Sequence, residues 1–235
     1  QNAIANGRAP ANYDSTDFSS TGVLNGSTHG VAVIETVFDH APNAQYFIYK
    51  VVNSTQCASA IDLAVSDDVD IINMSLGYRG LGWEDDDNSL CTATNSAADA
   101  GILVFVSSGN SKKMHWQGNF SDNDNDNWHG WSGNNELNTF ILQDTTSISC
   151  GCTWDPSQNT DYNIYITNSQ GTQILDSDEM TGTAFESVNF QNTAGFAITV
   201  AIAVKKISGP DVEFEIQCST SGVGSSVVND QLNFR

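Results

Sequence analysis

Basic residues are scarce: the 235-residue chain has 8 Lys and Arg against 28 Asp and Glu, a formal charge of −20 at pH 7. So acidic a surface repels phosphate backbones and anionic lipid, which argues against nucleic-acid and membrane-surface partners. It suits cation binding, saline surroundings and secretion as well as plain solubility, and charge alone does not rank these. Long apolar runs are also missing. The longest, residues 196–204, fits a buried strand and falls far short of the roughly 20 residues of a membrane-spanning helix. The opening Gln1-Asn2-Ala3 is not a signal peptide and has no initiator Met; we expect a processed chain or a segment of something longer. No fixed-period repeat is present. No cysteine spacing suits zinc, because Cys150-Gly-Cys152 is tighter than the usual two-residue gap.

The five cysteines are Cys57, Cys91, Cys150, Cys152 and Cys218. Glycosylation sequons at Asn25, Asn53 and Asn119 fall in loop-like sequence, whereas Asn73-Met-Ser75 lies in an expected strand. With the low lysine content, these features point to an oxidising, extracellular or cell-surface location. We expect Cys57 to pair with Cys91, and Cys218 with Cys150 or Cys152. A bridge across the first loop is worth about 3–4 kcal/mol in the chain-entropy view. An odd cysteine then remains for self-assembly or a partner chain.

Two halves differ in texture, meeting near Lys112–Met114. In the first, apolar spacing predicts helices over 29–39, 55–67 and 89–100, alternating with strands over 46–52, 69–76 and 102–107. Near-continuous apolar strands separated by helices predict an α/β arrangement, a parallel sheet covered on both faces. In the second, helical periodicity disappears. Short strands are expected over 137–142, 146–153, 162–167, 173–177, 185–190, 196–204 and 212–217, several alternating with period two as in a β-sandwich. Residues 219–235 read as a Ser/Val/Asn-rich tail.

Three segments of the first half, in order, carry a family resemblance. Gly26-Ser-Thr-His29-Gly-Val-Ala is similar to the block around the catalytic histidine of subtilisin-like serine proteases. Val69-Asp-Ile-Ile-Asn-Met-Ser-Leu-Gly77 is similar to the strand whose end lines their substrate cleft. Ala98-Asp-Ala-Gly-Ile-Leu-Val-Phe-Val-Ser-Ser-Gly-Asn110 resembles the helix and strand leading to their oxyanion-hole asparagine. The resemblance implies that His29 is the general base, exchanging a proton with nucleophile and leaving amine. It implies that Asn110 donates its amide to the developing oxyanion, a contact worth about 3–4 kcal/mol of barrier. Ser75, Leu76 and Gly77 would offer backbone to an extended peptide. Read without the resemblance, the same residues are a helix-start histidine, a turn asparagine and a strand end.

The family also needs an aspartate ending an early apolar strand and a serine in Gly-Thr-Ser-Met-Ala. Asp14 and Asp17 lie in a polar stretch where no such strand is expected, and the serines of 219–226 lack both the motif and an apolar helix after them. The expected organisation is therefore a partial subtilisin-like α/β domain with helices on both faces over 1–113, an all-β, jelly-roll-like sandwich over 114–218, and a tail. The sandwich resembles, through strand rhythm and Asp161-Tyr-Asn-Ile-Tyr, the bacterial pre-peptidase C-terminal type of module. The expected function is a segment of a secreted serine peptidase, inactive alone and acting on peptides only if the missing pieces are supplied. The alternatives are a non-catalytic extracellular subunit of a filament or sheath, and a calcium- or glycan-binding module. Asp122, Asp124 and Asp126 alternate as the first Ca²⁺ ligands of an EF-hand-type loop do, with Asn127 where that loop has Gly; the rival reading is a solvated turn. Glu84–Asp87 reads as a solvated loop. Trp116, Trp128 and Trp131 suit packing between the halves, or a sugar platform.

Overall fold

The computed structural model describes residues 2–23, 28–78, 83, 88–109 and 114–221. The chain falls into two compact units, Gln1–Tyr78 with Asp86–Ser108 in the first and Arg79–Asp85 with Gly109–Arg235 in the second. The first unit contains a short α1 (Asn2–Ala5), β1 (Asp14–Asp17), α2 (His29–His40), β2 (Phe47–Lys50), α3 (Ser54–Ser66), β3 (Ile71–Met74), α4 (Ser89–Asp99) and β4 (Leu103–Val106). All three expected helices and all three expected strands are present, the strands shorter than their apolar runs.

β3 and β4 are placed by two copies of one arrangement. Asn53 and Asn88 cap the helix starts, accepting the Gln56 amide in α3 and the Leu90 and Cys91 amides in α4. Each helix ends in a left-handed residue, Asp68 (φ 55°) or Gly101 (φ 89°). The next amide bonds back into the last turn, Val69 to Ala64 and Ile102 to Ala97. The chain then enters β3 or β4, which pair in parallel with Ile71 opposite Leu103. Small buried residues (Ala58, Ala60 and Ala64 in α3, Ala93 and Ala97 in α4) let the two helices pack closely.

β1 is a strand that the apolar pattern does not predict. Its sequence, Asp-Ser-Thr-Asp, is wholly polar, yet it pairs in parallel with β2, Asp14 opposite Phe47 through Asp17 opposite Lys50. Cover on both faces is not what the described residues show. The parallel strands form two separate pairs, and Ile71, Leu103 and Phe105 are 57%, 59% and 57% exposed.

The second unit holds β5 (His115–Asn119), β6 (Asn138–Leu142), β7 (Ser147–Trp154), β8 (Asp161–Asn168), β9 (Ile174–Asp178), β10 (Phe185–Gln191), β11 (Ile198–Ser208) and β12 (Glu213–Ser221). They form two four-stranded antiparallel sheets, ordered β10-β7-β12-β5 and β6-β11-β8-β9. One buried cluster draws on both, including Ile148 and Trp154 of β7, Tyr162 and Ile164 of β8, Val200 and Ile202 of β11, and Phe214 of β12. β5 was not expected from its pattern, and β12 extends into the stretch expected to be tail, pairing Ser219 with Ser149.

Cys150 and Cys218 face each other across β7 and β12 and form a disulfide. It closes a 68-residue separation, worth about 4 kcal/mol by loop entropy. The expected Cys57–Cys91 pair is not formed; both thiols are free, as is buried Cys152. Cys57 Sγ meets Met74 Sδ at 3.3 Å, while Cys91 Sγ accepts from the Asn88 side chain at 3.1 Å. Each sulfur is directed to its own neighbour rather than to the other.

Carboxyl groups join the two sheets where backbone pairing stops. Fully buried Glu186 of β10 accepts the Ile164 amide of β8 at 3.0 Å. Asp178 and Asp176 of β9 accept the Ser187 and Asn189 amides of β10, at 2.8 and 2.6 Å. β9 and β10 are the edge strands of their sheets, so these contacts occupy donors that would otherwise be open to a foreign strand. Burial pushes Glu186 up to about 8; the Ile164 amide offsets this in part, and Asp178, Asp161 and Glu179 add to it. The folded chain thus holds this proton up to about pH 8, whereas the unfolded chain releases it near 4.5. Its stabilisation is complete below pH 4.5 and is lost as pH rises through 8. Urea unfolding should therefore weaken by on the order of 3 kcal/mol between pH 5 and pH 8. Glu186→Gln, which keeps the acceptor and removes the titration, should flatten the profile; an unchanged slope in this variant would refute the assignment.

Candidate active site

Parallel pairing sends strand C-termini to a common edge, where ligands of α/β folds bind. His29 opens α2, and its Nε2 lies 2.7 Å from the Ser75 carbonyl, one residue past β3. Since the carbonyl can only accept, Nε2 carries the proton of this bond. The ring is exposed. Ser75 and Leu76 are half-buried and Gly77 is exposed. Ser107 ties this segment to the end of β4, its amide bonding to the Met74 carbonyl (3.2 Å) and its hydroxyl to the Leu76 carbonyl (3.2 Å). Gly109 comes next but one with φ 78°, a conformation that favours glycine. Asn110 lies outside the described residues, as does Asn25.

Asp17 is a carboxylate that sequence reasoning passed over. It ends β1, beside Lys50 at the end of β2. Its Oδ1 accepts the Ser19 amide (2.8 Å) and hydroxyl (2.5 Å), and its Oδ2 accepts the Gly22 amide at 2.5 Å. The Ser19 hydroxyl bond, opposed by desolvation and helped by both amides and the Lys50 charge, holds this carboxyl below its ordinary value. The group is thus kept ionised. The signal for it was the parallel partner: Phe47–Lys50 needs a neighbouring strand, and Asp14–Asp17 occupies that edge whatever its hydropathy.

In the second unit, Asp122, Asp124 and Asp126 each offer a carboxylate oxygen within 4.8 Å of the others. Their other contacts are those of a self-capped turn. Asp122 accepts the amides of Asn125, Asp126 and Asn127, Asp126 that of Trp128, and Asp124 the Asn134 side chain. Asn125 and Asn127 adopt φ 63° and 72°. Partial burial disfavours the Asp122 charge, but the three amides outweigh it and hold this carboxyl low. Glu136 is pushed up, by burial first and then by Asp126, Asp124 and Asp122. Trp116 and Trp131 are packed with Phe214 around buried His129. His129 Nδ1 accepts the Ser121 amide, and burial pushes the ring down to about 4, so it is a neutral core histidine. Trp128 stacks at a tilt on Tyr165, with the Lys205 ammonium 5.1 Å above its ring. Of the described sequon asparagines, Asn53 is exposed and serves as the α3 cap, and Asn119 is exposed on β5.

No curated protein sequence matches the chain. Among solved structures, the Clostridium perfringens CspB protease is similar at a TM-score of 0.45 and 12% identity, over 76% of this chain and 44% of that one. The chain thus spans less than half the length of that protease. No helix among the described residues is long and apolar enough to cross a membrane. The sequence profile of the Subtilase family, peptidase S8, matches residues 15–201, from inside β1 to β11. With a histidine at the head of α2 and a carboxylate at the end of β1, the chain belongs to the subtilase family.

Proposed function

We propose that this chain supplies the acid–base half of an extracellular subtilisin-like serine peptidase and cleaves peptides only when a nucleophile-bearing segment joins it. The observation that supports this most is His29 bonded to Ser75 at the strand ends, in the unit where β1 delivers an ionised Asp17. Asp17 takes the family's aspartate role in this reading, which leaves only the serine to be supplied. His29 is the base, Asn110 the oxyanion donor, and Ser75, Leu76 and Gly77 the backbone that receives peptide. The bond to Ser75 marks a resting state: Nε2 must give up that proton before it can accept one from a serine hydroxyl. The second unit is a β-sandwich module, inserted between asparagine and serine. Secretion accords with the disulfide and the sequons, and Asn53 and Asn119 are accessible for glycans.

A second reading, a non-catalytic subunit of an extracellular assembly, is favoured by the exposed Ile71, Leu103 and Phe105 of the β3–β4 pair. Apolar strands left open call for cover, from the rest of a protease or from another copy. Half-buried Cys91 is then the thiol available to a partner chain, since Cys57 and Cys152 are buried.

Reconstitution separates the two. The chain alone should not react with a fluorophosphonate probe. Mixed with a segment containing Gly-Thr-Ser-Met-Ala, it should label and hydrolyse peptides, and His29→Ala should lower kcat by about 10³-fold or more. Absence of labelling together with growth into large particles would leave the scaffold reading in its place.

Calcium is proposed at Asp122, Asp124 and Asp126. Adding Ca²⁺ after chelation should raise the melting temperature, and Asp124→Asn should reduce the rise. A melting curve indifferent to Ca²⁺ leaves the solvated turn.

A further inference from the structure

We propose that Lys50 is a positioning residue for Asp17, its ammonium fastening the turn after β1 so that the carboxylate is held ready as a hydrogen-bond acceptor. The inference rests on the reading of Asp17 as the acid partner of His29. β1 itself contains no apolar side chain, and at the turn after it Phe18 meets Tyr49 edge-on, with ring centroids 6.4 Å apart. Lys50 adds three polar anchors. Its carbonyl accepts the Phe18 amide at 3.0 Å, and its Nζ donates to Thr21 Oγ1 at 2.6 Å and to the Gly22 carbonyl at 2.8 Å.

These bonds join those of Asp17 in a closed circuit, because Ser19 Oγ also meets Thr21 Oγ1 at 2.8 Å. Their directions are fixed by the chemistry. An ammonium only donates and a carboxylate only accepts. Ser19 commits its one hydroxyl proton to Asp17, so Thr21 must donate to Ser19 while accepting from Lys50. Every bond along one arm runs from the cation to the anion, Lys50 to Thr21 to Ser19 to Asp17, so each polarises the next in the same sense. The other arm passes through Gly22, whose carbonyl takes Lys50 and whose amide serves Asp17. Gly22 has φ 93°, a conformation that strains residues with a side chain.

The test uses the full chain and nuclear magnetic resonance, so it needs no peptidase activity. Lys50→Met keeps most of the aliphatic stem and removes the charge. The Asp17 carboxyl should then titrate at higher pH, and the Ser19 and Gly22 amides should exchange about tenfold faster. Thr21→Val leaves the charge and cuts the hydroxyl arm; it should move Asp17 the same way and gives the same reading if Lys50→Met does not fold. Unchanged Asp17 titration and unchanged Ser19 and Gly22 exchange, in a variant whose other β1 and β2 amides remain protected, would overturn the proposal. Asp17→Asn tests the underlying reading separately. If it leaves the His29 titration untouched while Lys50→Met still shifts Asp17, the pairing with His29 fails and the role of Lys50 stands.

Discussion

Strands that pair in parallel cannot be joined by a tight hairpin, so β3 and β4 meet only because α4 returns the chain across the sheet before β4 begins. The rest of the first unit is shaped by that requirement. Both α3 and α4 must stop abruptly and lead into a strand, which Asp68 and Gly101 accomplish in a left-handed conformation. Each strand must then run in the same sense as its partner. Their C-terminal ends consequently share an edge, and there Ser75, Leu76, Ser107 and the His29 ring are knitted by hydrogen bonds. The site is a product of chain direction before it is a product of individual side chains.

The second unit obeys a different constraint. Its antiparallel sheets bury one broad apolar core to which both contribute. Glu186 is one carboxyl that joins the sheets, filling a backbone acceptor position for Ile164. With Asp176 and Asp178 acting in return, acidic residues that elsewhere serve as surface charge become structural acceptors at two sheet edges. The disulfide reinforces the middle of one sheet, from β7 to β12. The two units thus rest on different chemistry: small-residue helix packing in one, a broad apolar core closed by carboxyls in the other.

Much of the secondary structure was legible because apolar periodicity reports burial directly. The helices at 29–40, 54–66 and 89–99 have apolar residues at helical spacing, and β8 and β11 have continuous or alternating apolar faces. β1 and β5 were not legible. Asp-Ser-Thr-Asp and His-Trp-Gln-Gly-Asn have no such pattern, and only the partner strands β2 and β12 make them strands. The free state of Cys57 and Cys91 was hidden for a related reason. Spacing says which cysteines are near in the chain, while sulfur direction depends on how α3 and α4 rotate against β3 and the Asn88 cap.

By itself the sequence determined the family blocks around His29, Ser75–Gly77 and Asn110, the strongly acidic balance and the division in texture near residue 113, because these are properties of local composition and order. Tertiary structure decided which groups those blocks meet. It made a polar tetrapeptide into an edge strand, put Asp17 beside Lys50, gave the His29 Nε2 proton to the Ser75 carbonyl, and chose Cys150 over Cys152 as the partner of Cys218. Each of those outcomes depends on strand register and pairing between residues distant in the chain, and no local pattern encodes register once both faces of a strand are polar.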